Sequence, residues 1–484
     1  MIRPSHTVVP AYVPRIDSRP AFGFWLVVTF VAFVCGVLAV ILPYQFVLIL
    51  VAIPVMLVLP WRYPWLGLIV LLAMVSGLLP SPLLGGGIRL VDVFWAYLFL
   101  ILFFAHLRSD KSWWVGFNPY FRPLSLFFSL AVLSTAYALL ILHTPAKHAL
   151  GEFRHFFYWL LAPMVMVALD SERKLNLFVR TMLILAALLA LGVVVQSLTG
   201  ISILFGGAMN ATNTLGVSYQ GVIRTQTPGI FLVLFGLFLL TSRYLWQVKK
   251  SAAGLPWLML FGAGIVFTYG RTLWLTSVIG MVYLAFLARG KRMLSLMVFG
   301  FIALVIGIGA IWIAKPHTMD AIIVRLESYG TEVSSGQSLE WRYVENRYAL
   351  IKIRAHPLMG IGLGGNYKPG FAPEAFDGEH RFIHNAYLYL ILKMGVLSML
   401  PLAWLYRVIY RRGVRLLKED ESTTKRSIVA ASLVVVTIPL ITSMTRPEWM
   451  TDATIAISAI LIGLLGVMDV LRLKGKNRAD KLHD

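Results

Sequence analysis

The chain has 484 residues, 58% of them hydrophobic and 13% charged, with a formal net charge of +21 and one cysteine, Cys35. A lone cysteine excludes a disulfide framework and a cysteine metal site. Apolar runs of about 16–25 residues recur from Ala21 to Leu473, long enough for helices to cross a hydrocarbon core of about 30 Å, so soluble classes are excluded as well.

The polar, mildly basic segment Met1–Pro20 precedes a long apolar run with no clear small-residue cleavage site, and reads as an uncleaved anchor. Fourteen spans are expected, near 22–42, 45–60, 65–79, 91–106, 123–142, 150–168, 176–198, 229–242, 254–269, 272–288, 294–314, 385–405, 428–443 and 453–471. The short pair 45–60 and 65–79 leaves twelve to fourteen open. The expected fold is an all-α polytopic membrane bundle. It divides into a tail 1–21, spans over 22–314 with an outer connector 199–228, a long loop 315–384, spans over 385–471 and a tail 472–484.

With the N-terminus in the cytoplasm, about 28 of the 43 Lys and Arg fall on the inside, against about six in the short outer loops. That asymmetry obeys the positive-inside rule, so the basic excess orients the protein and does not point to nucleic acid. Both termini are then cytoplasmic, and the connectors 199–228 and 315–384 lie outside. Within the second, Trp341, Val344, Tyr348 and Ile351 recur at helical spacing, with Arg342, Glu345 and Lys352 on another face. Pro357 ends that helix, and Gly360, Gly362, Gly364 and Gly365 are expected to make a flexible turn.

His384, in HNAYLYL at the start of a span, has the residue type of a general base near neutral pH. The bland alternative is that His384 and Asn385 cap the helix, since Asn is a good N-cap. Arg154, Arg224 and Arg271 are expected at the same face. Arginines are disfavoured outside, so their convergence points to an anionic partner such as a phosphate, which the guanidinium fork binds bidentately. Snorkelling to headgroups or pairing with acids is the other reading. Asp377, Glu379 and His380 lack a fixed metal-ligand spacing, so a solvated acidic turn is preferred and no metal is expected. GIGLGG follows a helix, which separates it from a dinucleotide fingerprint.

RTLWL at a span start, a long outer loop running into HPLMGIGLGG, and then HNAYLYLILKMG together resemble the O-antigen ligase and Wzy-type polymerase superfamily. The resemblance implies a GT-C-like, metal-independent inverting glycosyltransferase at the periplasmic face of the bacterial inner membrane. Its donor would be an undecaprenyl-diphosphate-linked glycan. Its acceptor would be another lipid-linked glycan, in a polymerase of O-antigen or exopolysaccharide, or lipopolysaccharide core, in a ligase; the expected extra spans favour the polymerase. His384 would be the catalytic base or acceptor-orienting residue. Arg224 and Arg271, with Arg154 and Arg342, would hold the diphosphate, and His380, Arg381 and Asn385 would serve the acceptor or the loop. No cofactor is implied. The competing class is a transporter or flippase of anionic lipid-linked glycans.

Overall fold

The computed structural model describes residues 60–85, 88–108, 112–205, 208–214, 217–246, 254–288, 322–323, 337–368, 381–419 and 422–483, with Val58 and Asp320. The expected spans 22–42 and 294–314, nearly all of 45–60, and Asp377, Glu379 and His380 lie outside the described residues. The chain divides into two compact units, Met1–Arg62 and Tyr63–Asp484, and the helices and strands with full bounds lie in the second.

That unit runs α1 (Pro64–Val75), β1 (Leu83–Gly85), β2 (Ile88–Arg89), α2 (Leu90–Arg108), α3 (Ser112–Leu140) and α4 (Ala146–Phe153). A 3-10 turn, Arg154–Leu160, leads into α5 (Leu161–Ala168) and α6 (Glu172–Thr199), followed by the hairpin β3 (Ala208–Thr214) and β4 (Val217–Gln226). Then come α7 (Ile230–Trp246), α8 (Leu255–Val266), α9 (Arg271–Ala288), α10 (Gln337–Ala355) and α11 (Ala386–Met394). The last elements are a 3-10 turn Val396–Ser398, α12 (Met399–Glu419), α13 (Thr423–Thr442), a 3-10 turn Glu448–Met450 and α14 (Asp452–His483).

Six described helices are long and apolar enough to cross a membrane, namely α2, α3, α6, α9, α13 and α14, and α1, α7 and α8 are shorter apolar helices. The fold is therefore a multi-pass helical bundle. α14 is buried on nearly every side from Ala453 to Met468, which makes it the central helix. α9 instead shows Leu275, Val278, Val282 and Phe286 on its surface. A helix apolar all round with one side open to solvent is suited to lipid contact.

Several expected elements take a different form. The run 150–168 is interrupted by the 3-10 turn at Arg154, and 385–405 is broken at Gly395 (φ +79°) into α11 and α12. Any side chain at 395 would collide with the carbonyl of Leu358, and Val396 N–H donates to Pro357 O at 2.9 Å. The turn after α10 thus fits into the break. The same turn, expected to be flexible, is packed: residues 360–364 are buried, with Gly360, Gly362 and Gly364 at positive φ. A Cβ at Gly362 or Gly364 would meet Ala138 of α3 at 2.7 Å or the Ala149 nitrogen of α4 at 2.5 Å. Close approach of backbones, not freedom of motion, is the use of these glycines. The connector 199–228 contains the antiparallel β3–β4 pair, with Ala208 opposite Gln226 and Thr214 opposite Val217. α14 continues through the expected tail to His483.

The connectors expected at the outer face meet at one end of the bundle. Phe205 N–H donates to Gly77 O at 2.7 Å, Thr227 Oγ1 to Ser76 O at 3.1 Å, and Ala386 N–H to Ser443 O at 2.8 Å. The other end gathers basic groups on acids: Arg412 and Arg415 on Asp469 at 2.7 and 2.8 Å, and Lys425 on Glu172 at 2.6 Å.

Candidate active site

Helix α10 carries its information on a face that periodicity misplaces. Among its described side chains the buried ones are Glu345 and Ala349, one turn apart, whereas Ile351 of the expected apolar face is 54% exposed. A carboxylate turns inward because two partners satisfy it. Lys368 Nζ donates to Glu345 Oε1 at 3.0 Å, and His384 Nδ1 lies 2.8 Å from Oε2. The backbone N–H of His384 adds a third bond to Oε2 at 3.3 Å. Burial works to raise the pKa of Glu345, but its hydrogen bonds to His384 and Lys368 and the positive charge of Lys368 outweigh it and hold the group below its ordinary value. Glu345 is an anion at neutral pH.

An anionic acceptor on Nδ1 fixes the imidazole tautomer. In the neutral ring Nδ1 carries the proton and Nε2 keeps a lone pair. The His384 side chain is 31% exposed, while that of Glu345 is 1% exposed, so the ring reaches out of the protein from a buried anchor. Phe382 meets the ring edge-on at 4.8 Å, and Tyr367 O–H donates to Phe382 O at 2.7 Å. These contacts hold the strand-like approach to α11 in place. Asn385 is the helix cap: its side chain accepts from Tyr387 N–H at 3.0 Å and Leu388 N–H at 3.1 Å. Capping falls to Asn385, and His384 is engaged with Glu345.

A second network lies under the first. Glu152 of α4 accepts from Gly364 N–H at 2.7 Å and from the hydroxyl of Tyr389, and Lys393 Nζ stands 3.3 Å from its other oxygen. The Lys393 ammonium, fully buried, also donates to Gly365 O. This network clamps the glycine turn onto α11, the helix that begins beside His384.

The arginines separate into groups. Arg154 contacts Asp92 at 3.3 Å and Asp452 at 3.5 Å, and Arg89 and His155 also reach Asp452. Its acid partners thus include Asp92 and Asp452. Arg224 sits on β4 with its guanidinium beside the side-chain amide of Gln226. Arg271 opens α9, after a turn in which Tyr269 takes positive φ. Arg342 precedes Glu345 by three positions on α10, which puts the two on neighbouring parts of the helix surface. Arg381 is half-buried, three residues before His384. The structure joins His384 to Glu345 and Lys368, and joins Arg154 to a separate cluster with Arg89.

Sequence reasoning passes over Lys368 and Lys393, and gives Glu345 only a place on the polar face of its helix. Lys393 was open to detection, because a lysine inside an expected span needs a buried partner. Glu345 and Lys368 gave no such signal, since their partners lie 39 and 23 residues away. Among the described residues, no three His, Cys, Asp or Glu side chains group as a metal site requires.

No curated protein matches the chain. Residues 256–403 match the model of the O-antigen ligase family, Wzy_C, a stretch that runs from α8 into α12 and contains Arg271, Arg342, Glu345, Lys368 and His384. Over residues 256–403 the chain is thus similar to the O-antigen ligase family, of the superfamily that the sequence itself resembles.

Proposed function

We propose that this chain is an inverting, metal-independent glycosyltransferase. It moves a glycan from undecaprenyl diphosphate onto a sugar hydroxyl at the periplasmic face of the bacterial inner membrane. The family segment implies a glycosyl-transfer enzyme of O-antigen assembly in general. The observation that carries the finer reading is the His384–Glu345 pair, a half-exposed imidazole whose Nδ1 is held by a buried carboxylate.

In this reading Nε2 of His384 takes the proton of the acceptor hydroxyl as its oxygen attacks the anomeric carbon. The bond from that carbon to the phosphate oxygen breaks, and its electron pair leaves with the diphosphate. Attack from the side opposite the leaving group inverts the anomeric centre. Glu345 stabilises the imidazolium formed, the role a buried carboxylate has in a Ser-His-Asp arrangement. Charge grows on the diphosphate as the bond breaks, and fixed guanidinium groups lower the barrier there. Arg224, Arg271 and Arg342 are the candidates, whereas Arg154 already faces two carboxylates. The acceptor is a lipid-linked glycan in a polymerase or lipopolysaccharide core in a ligase.

The test is turnover of a lipid-linked oligosaccharide by the purified protein and by His384→Ala, with products sized on a gel. General-base loss costs about 10²–10⁴-fold in rate. Retained donor binding with that loss supports the reading. Unchanged turnover in His384→Ala ends it, and donor translocation without transfer would make the protein a flippase.

A further inference from the structure

At the end of the bundle where the outer connectors meet lies a cavity of about 560 Å³. Its polar lining includes Arg89, Arg154, His155, Arg446, Glu448 and Asp452, and its apolar lining includes Val75, Val91 and Phe231. The volume is that of an ordinary small-molecule site.

The arginines of this cavity are already paired with carboxylates. Arg89 and Arg154 share Asp452 and Asp92, with Arg154 at 3.3 Å from Asp92, and Arg446 Nε stands 3.3 Å from Glu448. Each of the three guanidinium groups thus has a carboxylate partner, and two of those carboxylates, Asp452 and Glu448, line the cavity. A diphosphate entering here would meet those carboxylates as like charges, at a cost that grows with burial. A sugar hydroxyl has no such conflict. It donates to a carboxylate and accepts from a guanidinium, so a mixed lining satisfies both of its roles. The hydroxyls of Thr451 and Thr454 and the amide of Gln226 extend that lining, and Phe231 supplies a flat apolar wall for C–H faces.

The cavity is mechanically tied to the helix beside His384. The 3-10 turn with Glu448 is packed against α11 through Trp449, which meets Tyr387 edge-on at 4.7 Å. Ser443, at the end of α13 just before Arg446, accepts the N–H of Ala386. Arg154 follows two residues after Glu152, which holds Tyr389.

We infer that this cavity is a subsite for an uncharged sugar unit of the glycan, held by Asp452, Glu448 and Arg154 through its hydroxyls, and that the diphosphate binds elsewhere. The inference rests on the glycosyl-transfer reading above. It removes Arg154 from the phosphate-holding set and gives it a part in recognising the carbohydrate.

The test uses the full chain in lipid nanodiscs. Two probes are titrated by calorimetry: inorganic pyrophosphate, and the glycan released by mild acid from the lipid-linked pool of the expressing cells. The variants are Asp452→Asn and, at a half-exposed position less prone to disturb folding, Thr451→Val. Glycan affinity should fall about tenfold or more in both variants, while pyrophosphate affinity holds or rises in Asp452→Asn, because a competing carboxylate has gone. Glycan affinity unchanged in both overturns the subsite, as does a tenfold loss of pyrophosphate affinity in Thr451→Val. Failure of the wild type to bind glycan while it still turns over lipid-linked donor overturns the subsite alone. Failure of binding and turnover together overturns the glycosyl-transfer reading with it.

Discussion

Glu345 Oε2 lies 2.8 Å from His384 Nδ1, joining the helix of the long loop to the entrance of α11 across 39 residues of chain. Glu345→Gln keeps the shape of the side chain and removes its charge. Turnover should fall by about 10-fold or more with donor affinity kept, because the imidazolium formed in the reaction loses its counter-charge. Comparison of kcat and KM in the two proteins checks this, and a change confined to KM would contradict it.

The pH dependence of stability has a defined sign. The pKa of Glu345 is held below its ordinary 4.5, so its contribution is complete above that value and is lost as pH falls through the lowered one. The melting difference between wild type and Glu345→Gln should therefore persist down to about pH 5, then shrink in more acidic buffer. Thermal unfolding in detergent across that range gives the curve. A difference that widened on acidification would refute the assignment.

Lys368 and Glu345 form a pair whose side chains are 2% and 1% exposed. Removing one partner strands the other, at a cost of about 3–5 kcal/mol. Lys368→Met and Glu345→Gln should each destabilise strongly, while the double variant costs clearly less than their sum. Denaturant unfolding of the four proteins measures the coupling, and simple additivity would show the pair to be energetically independent.

Asn385→Ala separates capping from chemistry. It removes the acceptor for two N–H groups at the start of α11 and should cost about 0.5–2 kcal/mol of stability. Its kcat should stay far nearer to wild type than that of His384→Ala. If both variants lost turnover equally, the histidine would have no special chemical role.

Gly395→Ala places a methyl group against the carbonyl of Leu358 at a positive φ, so it should lower the melting temperature and the yield of folded protein. Gly151→Ala is the control. No atom lies within 4 Å of its added carbon, and inside a helix the change should stabilise by about 0.5–1 kcal/mol. Parallel melts of the two variants decide the matter, equal behaviour being the adverse result.

Much of the bundle was legible because long apolar runs carry their own signal. Pro357 stopped α10 close to its expected end, and Asn385 announced its own helix start. The hairpin at 208–226 was not announced by its turn sequence: the polar, partly β-branched runs flank Leu215–Gly216, which is not one of the Asn-Gly, Asp-Gly or Gly-first pairs that mark a two-residue hairpin. Gly395 after Lys393–Met394 had the form of a helix C-terminal glycine. The inward turn of Glu345 was not readable, because periodicity ranks residues by polarity, and a satisfied carboxylate sits where polarity forbids it. Its partners come from distant segments, and only the folded chain shows them side by side.

The interruption at Gly395 also limits how the reaction meets the bilayer. The nine residues of α11 extend about 13 Å, less than half of a hydrocarbon core of about 30 Å. Irregular backbone at such a depth survives only when protein or water surrounds it. In the proposed orientation, lipid tails therefore stay outside the region between α11 and the glycine turn. A lipid-linked donor approaching from the side would leave its hydrocarbon in the bilayer and extend only its sugar headgroup into a watery recess walled by protein.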